Sequence, residues 1–201
     1  VRQDGRSASL TAPNGSAQQV LLLAALVRTS VSLDEVGSTE AHGTGTALGD
    51  PTEAGTLGAV HSGRTTAVAM GAAKANVGHT EAVSGLVGLL KVKEMLPDAR
   101  AGNAQLCMLN PLVAARLDRV TSLTLPTQGI AARMVGGCSG VSSFGYSGTI
   151  AHAVLWHAKG DGCTAAVPLP FMSRRAKQNA SLAPVRPPLA YRRRSFPWRA
   201  V

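Results

Sequence analysis

TEAHGTGTALGDPTE, residues 39–53, and KANVGH, residues 74–79, are the stretches on which the reading of this chain turns. Together they put two histidines and a lysine inside glycine-rich turns. Glycine lets the backbone turn sharply and lets a ligand approach closely, so a histidine beside Gly43 or Gly78 can face a cleft instead of a core. A neutral imidazole donates one hydrogen bond, which suits it to an oxygen that gains negative charge during a reaction.

Outward from these stretches the pattern is that of an α/β chain. Ser16 is the expected cap of a helix that ends near Arg28 to Ser32, with Val20, Leu21, Leu23, Ala24 and Val27 as its apolar stripe. Val36 should start a short strand that leads into His42. Asp50 should cap a helix beginning at Pro51, with Glu53 in its first turn. Thr65 to Met70 reads as a buried strand that delivers Lys74 to a loop. A helix from Thr80, stopped by Pro97, should bury Ala82, Leu86, Leu89, Leu90 and Val92 and leave Lys91, Lys93 and Glu94 wetter, with His79 at its N-terminus. Residues 98–126 read as irregular with one short strand and a turn at Asn110-Pro111. From Gly136 to Leu155 two strands are expected about the turn GYSG. Strand, crossover helix and strand together imply layered α/β architecture.

With 201 residues, 45% hydrophobic and 15% charged, the chain can bury a substantial core. The formal charge of +9 is unevenly placed: the residues from Lys159 onward hold nine of the 20 Lys and Arg but only one of the 11 acids. A basic tail can bind nucleic acid or acidic lipid, but a solvated, proline-rich linker over 158–201 is the simpler reading, so neither nucleic acid nor membrane is expected as a partner. The longest apolar run, Val20 to Val27, is too short to span a bilayer, and the start at Val1 suggests a soluble, partial chain. Three cysteines, Cys107, Cys138 and Cys163, with no CxxC pair, argue against a disulfide framework or structural zinc and fit a reducing compartment, cytoplasm or plastid. No ligand cluster supports metal binding.

EAHGTGT around His42, GDPTE over 49–53, KANVGHTEAVSG with Lys74 and His79, and GVSSFGYSGTIAHAVL over 140–155 occur here in the order and spacing of the C-terminal half of a β-ketoacyl synthase, and the chain resembles the ketosynthases of modular type I polyketide synthases over residues 11–155. The resemblance implies a thiolase-like fold, C-terminal half, over 1–157, followed by the linker. LAYRRRSFPWR, 189–199, is weakly similar to the linker that packs back on such domains, with Tyr191, Phe196 and Trp198 as its anchors.

It also implies decarboxylative condensation of an acyl thioester with a malonyl-type extender held on the phosphopantetheine of an acyl carrier protein, with no cofactor bound by the chain itself. His42 and His79 would then stabilise the enolate, and Lys74 would hold the network and keep the histidines neutral. Thr44 and Thr46 would contact the phosphopantetheine arm, and Phe144 would gate the acyl pocket. Plainer roles stand beside these: the threonines could only brace the turn, and Phe144 could be core.

The family's nucleophilic cysteine lies upstream of these motifs and none of the three cysteines matches it, so the chain is expected to need an N-terminal ketosynthase half, as part of a homodimer, and to be inactive alone. Ile150 replaces an asparagine usual in the family, which leaves His152 a structural role, while His61 and His157 read as surface residues. Two other readings compete. One is a non-catalytic docking or scaffold module that uses Arg192, Arg193 and Arg194 against an acidic carrier. The other is a cysteine α/β-hydrolase with Cys138 in a G-x-C-x-G elbow, against which stand the strand that follows and the order of the partner residues. GAVHSGRT, 58–65, follows a helix and GTGTALG misses the dinucleotide spacing, so neither is a nucleotide loop.

Overall fold

The computed structural model describes residues 1–5, 9, 12–97, 100–127, 130–131 and 137–156. The expected linker over 158–201, with Asp161, Cys163, Arg192, Arg193, Arg194, Tyr191, Phe196 and Trp198, lies outside the described residues, as does His157.

In chain order the elements are β1 (Arg2–Gln3), α1 (Gly15–Thr29), β2 (Val36–Glu40), α2 (Gly49–Val60), β3 (Val68–Gly71), α3 (Lys74–Val77), α4 (Ser84–Met95), β4 (Arg100–Ala101), α5 (Pro111–Leu117), β5 (Leu123–Thr124), β6 (Ile130–Ala131), β7 (Cys138–Phe144) and β8 (Thr149–Trp156). A six-stranded mixed sheet runs β1-β8-β7-β2-β3-β5, and β4 pairs with β6 separately. Strand β2 is parallel to both β3 and β7, whereas β8 returns antiparallel on β7 through the GYSG turn. β2 is buried at all five positions, as a central strand of a sheet covered on both faces must be.

Leu22 and Leu26 of α1 and Leu57 and Val60 of α2 close on Val36, Val68, Met70 and Leu123. On the other face Val92 and Leu96 meet Val141 of β7. Helices on both faces of a sheet make a three-layer α/β unit. His42, Lys74 and Phe144 all stand at or just past the carboxyl ends of β2, β3 and β7, three adjacent parallel strands, which is where such sheets open their ligand crevices.

Several local expectations give way. Asn14, not Ser16, caps α1: its side chain accepts the Ala17 N–H at 3.0 Å. The buried stripe of α1 is Gln18, Leu21, Leu22 and Leu26, while Val20, Leu23 and Val27 are exposed. The helix is apolar on more than one side, so periodicity alone does not choose the face that packs. Helix α2 starts at Gly49, and Asp50 accepts the Gly45 N–H at 3.0 Å, bracing the preceding loop instead of capping the helix. The strand expected from Thr65 begins at Val68, and Lys74 opens the short helix α3 instead of lying in a loop.

Helix α4 begins at Ser84 instead of Thr80, so His79 is not at its N-terminus and Ala82 lies exposed in a 3-10 turn ahead of it; the helix buries Ser84, Gly88 and Val92, leaves Leu86 and Leu90 exposed, and turns Lys91 inward. The span 98–126 holds a helix as well as two short strands: Asn110 caps α5 by accepting the Leu112 N–H at 2.9 Å, and Pro111 fills the first helical position, where its missing N–H costs nothing. His61 is not a surface residue; it is 3% exposed at the end of α2. Cys138 is buried as the first residue of strand β7, so strand follows it where a nucleophile elbow requires a helix, and the hydrolase reading falls. Among the described residues no helix is long and apolar enough to cross a membrane, and no cluster of His, Cys, Asp and Glu could hold a metal.

Candidate active site

Past the end of β2 the chain turns at Gly43, which has φ +47°; a Cβ there would lie 2.8 Å from the Cβ of Ala72. Only glycine allows this backbone conformation and this approach together. The turn brings the His42 loop against the segment between β3 and α3. Gly78, with φ +76°, then ends α3 and releases His79.

The rings of His42 and His79 lie 6.0 Å apart between centroids and almost perpendicular, and Phe144 stands 5.4 Å from the His42 ring. An oxygen hydrogen-bonded to a ring nitrogen sits about 4 Å from that ring's centroid, so the spacing of the two rings is compatible with one shared oxygen. The hydrogen bonds at each Nδ1 decide which nitrogen carries the proton. Lys74 Nζ lies 3.3 Å from His42 Nδ1 and also donates to the His42 carbonyl oxygen. An ammonium has no acceptor, so Nδ1 accepts and the His42 proton sits on Nε2. His79 Nδ1 accepts the Glu81 N–H at 2.8 Å, which leaves its proton on Nε2 as well. Burial, then the charges of Lys74 and His79, push His42 down to about 4, so at neutral pH it is an uncharged donor. Lys74 is itself lowered by burial, against the pull of Glu53, Glu40 and Asp50.

Glu53 has a larger part than its expected place in the first turn of a helix. Its carboxylate accepts the His42 N–H at 2.7 Å and the Gly43 N–H at 2.9 Å, so it holds the histidine loop by its backbone. Burial raises Glu53 to about 7 against those two donors. Thr46 Oγ1 accepts the Gly49 N–H at 3.0 Å and lies 3.4 Å from Thr44 Oγ1, so the plainer bracing role of these threonines is at least one that they fill. Phe144 is half-buried beside His42 and is not a core residue. Asn103, unforeseen from sequence, is buried and links β3 to the later chain: it donates to the Met70 carbonyl at 2.8 Å and accepts the Ala72 N–H at 3.1 Å.

Two clefts meet at His79, Thr44 and Glu53. One of about 580 Å³ is lined further by His42, Thr46 and Phe144; the other, of about 510 Å³, by Lys74 and the apolar Met70, Leu106 and Met108. Neither Cys107, which is exposed, nor Cys138, which is buried, borders either cleft.

The histidines also give the molecule an acid sensitivity. His61, lowered to about 4 by burial and then by Arg64 and His152, has no hydrogen-bond partner for Nδ1 among the described residues; His152, also lowered to about 4 by burial, has Ser142 Oγ 3.0 Å from its Nδ1. With His42 these are three groups that protonate in the unfolded chain near 6.5 but in the folded chain only near 4. The stability they contribute is fully present above 6.5 and lost as pH falls to 4. Raised Glu53 works the opposite way between 4.5 and 7, one group against three. Scanning calorimetry should therefore show the unfolding temperature falling as pH drops from about 6.5 to about 4.5, and His61→Phe should flatten that fall.

Residues 1–101 match the family described as "Beta-ketoacyl synthase, C-terminal domain". The chain is 38% identical over 165 residues to a phenolphthiocerol/phthiocerol polyketide synthase component of Mycobacterium tuberculosis (strain ATCC 25618 / H37Rv), a match over 79% of this chain and 7% of that protein. It is 40% identical over 167 residues to the spectinabilin polyketide synthase system protein NorA' of Streptomyces orinoci, over 79% of this chain and 4% of that protein. The chain thus spans less than a tenth of the length of these relatives. Among solved structures it is similar to an oxazolomycin ketosynthase domain of Streptomyces albus JA3453, at 29% identity and TM-score 0.70, covering 79% of this chain and 29% of that one. The ketosynthase from module 6 of the bacillaene synthase of Bacillus subtilis 168 gives 29% identity and TM-score 0.69, with the same two coverages. The layered mixed sheet is thus thiolase-like, and the chain belongs to the β-ketoacyl synthase family, whose C-terminal ketosynthase domain it carries.

Proposed function

We propose that this chain is the enolate-stabilising part of a condensing transferase, a β-ketoacyl synthase that joins an acyl thioester to a malonyl-type extender carried on the phosphopantetheine of an acyl carrier protein. One observation carries this reading: two imidazoles 6.0 Å apart that line the same cleft, each with its Nδ1 occupied as an acceptor, so that Nε2–H is the donor left to each ring.

In the first step the bond between the malonyl α-carbon and its carboxylate breaks. Carbon dioxide leaves, and the electron pair moves through the α-carbon onto the thioester oxygen. His42 and His79 donate to that oxygen as its charge grows, and each such donor in a dry site contributes about 3 kcal/mol to the lowering of the barrier. The enolate carbon then attacks the acyl thioester carbon, and the acyl-bearing thiolate departs. That thiolate comes from outside the described residues, since neither described cysteine borders the clefts. We assign the 580 Å³ cleft to the phosphopantetheine arm, with Thr44 and Thr46 as hydroxyl partners and Phe144 as its gate. The acyl carrier protein, an N-terminal ketosynthase half and a second copy of the enzyme are the partners this reading requires. The docking-module alternative rests on Arg192, Arg193 and Arg194, outside the described residues.

The test is release of carbon dioxide, together with β-ketoacyl product, from malonyl-carrier thioester by the full-length protein that contains this chain. Release above the uncatalysed rate supports the reading; none from a folded, acyl-loaded protein overturns it.

A further inference from the structure

Glu40 is the last residue of β2, two positions before His42, and is 4% exposed. Its Oε2 accepts from Lys91 Nζ at 2.6 Å, and its Oε1 accepts the N–H of Ala73, the residue immediately before Lys74. Lys91 is on α4, the helix that follows His79, and its side chain is 18% exposed. One carboxylate thus joins the three segments that carry His42, Lys74 and His79.

Its surroundings are shaped for this pair. A Cβ at Gly71 would lie 2.9 Å from Lys91 Nζ and 3.0 Å from Glu40 Oε2, and a Cβ at Gly88 would lie 3.3 Å from Glu40 Cγ. Glycines at both places let helix and sheet approach closely enough for the two charges to meet. A buried ion pair is a weak stabiliser, because desolvating both charges offsets much of their attraction. Its value at this junction is in the arrangement it enforces.

We propose that Glu40 and Lys91 are a positioning pair for the condensing site, touching no substrate and fixing Lys74 against His42. The inference rests on the function proposed above for its kinetic consequence, but not for its structural one. With the pair gone, the N-terminal end of α3 loses its acceptor at Ala73 and Lys74 moves from His42 Nδ1. A displacement of about 1 Å in such a site costs on the order of 100-fold in rate.

The test uses the full-length protein with Lys91→Met, Lys91→Arg and the double variant Glu40→Leu/Lys91→Met, which leaves no unpaired buried charge and so keeps the fold. In Lys91→Met and the double variant, kcat for malonyl-carrier decarboxylation should fall by about 30- to 100-fold with KM within about twofold, while Lys91→Arg should restore kcat to within about tenfold of the parent. The second readout is the His42 titration followed by 15N NMR. It should move up from about 4 in the double variant as the charge of Lys74 withdraws. A folded double variant with parental kcat and an unmoved His42 titration overturns the positioning role. If the His42 titration moves while neither it nor His42→Ala changes turnover, the positioning pair stands and the proposed function falls.

Discussion

His42→Ala and His79→Ala are each expected to lower kcat for decarboxylation of malonyl-carrier thioester by about 10²- to 10³-fold, with little change in KM. The reason is where the interaction is made. The thioester oxygen of the ground state is a weak acceptor, whereas the enolate oxygen is a strong one, so a donor aimed at it acts mainly on the transition state. Both rings are held by bonds on their Nδ1 side, to Lys74 and to the Glu81 N–H, so neither must reorient as the charge develops. In the proposed function the two donors serve one oxygen, so the double variant should lose less than the product of the single losses. A steady-state assay of carbon dioxide release measures all three, and unaltered turnover in either single variant would remove that histidine from the role.

Glu53→Leu should cost about 2–5 kcal/mol of stability, from two backbone N–H groups left without acceptors in a buried site. Its carboxylate is the partner of both His42 N and Gly43 N, and Glu53 is 5% exposed, so no solvent replaces it. The same loss frees the loop that aims His42, so kcat should fall along with stability. Glu53→Gln keeps one carbonyl acceptor and should lose less on both counts. Denaturant unfolding and the decarboxylation assay, run on both variants, measure the two effects. Equal stability for the leucine and glutamine proteins would show that the backbone contacts contribute nothing.

The elements legible in the sequence were those set by short-range patterns. The glycine-flanked histidines, the β7–β8 hairpin about GYSG and the ending of α1 near Thr29 all depend on a few adjacent residues. The packing faces of α1 and α4 were not legible, because Val20, Leu23 and Val27 look as apolar as Leu22 and Leu26, and Leu86 and Leu90 as apolar as Val92. Which side packs is decided by the sheet, not by the helix. The cap of α5 was legible and misread: an asparagine followed by proline signals a helix start as readily as a turn.

At the site, His42, His79 and Lys74 could be picked out by motif, but their supports could not. Glu53 acts on a loop ten and eleven residues earlier in the chain, and Glu40 on partners 33 and 51 residues away. An acidic residue at the end of a buried strand carries no local sign of the lysine it meets. His61, followed by Ser62, Gly63 and Arg64, gave no hint that the end of α2 folds it into the interior.

The decisive measurement is the protonation pattern of the two rings, read from the long-range 1H–15N spectrum of the 15N-histidine-labelled protein at neutral pH. His42 and His79 should each show an unprotonated Nδ1 and a proton on Nε2, the tautomer in which both can donate to one enolate oxygen. A proton on Nδ1 of either ring would contradict it.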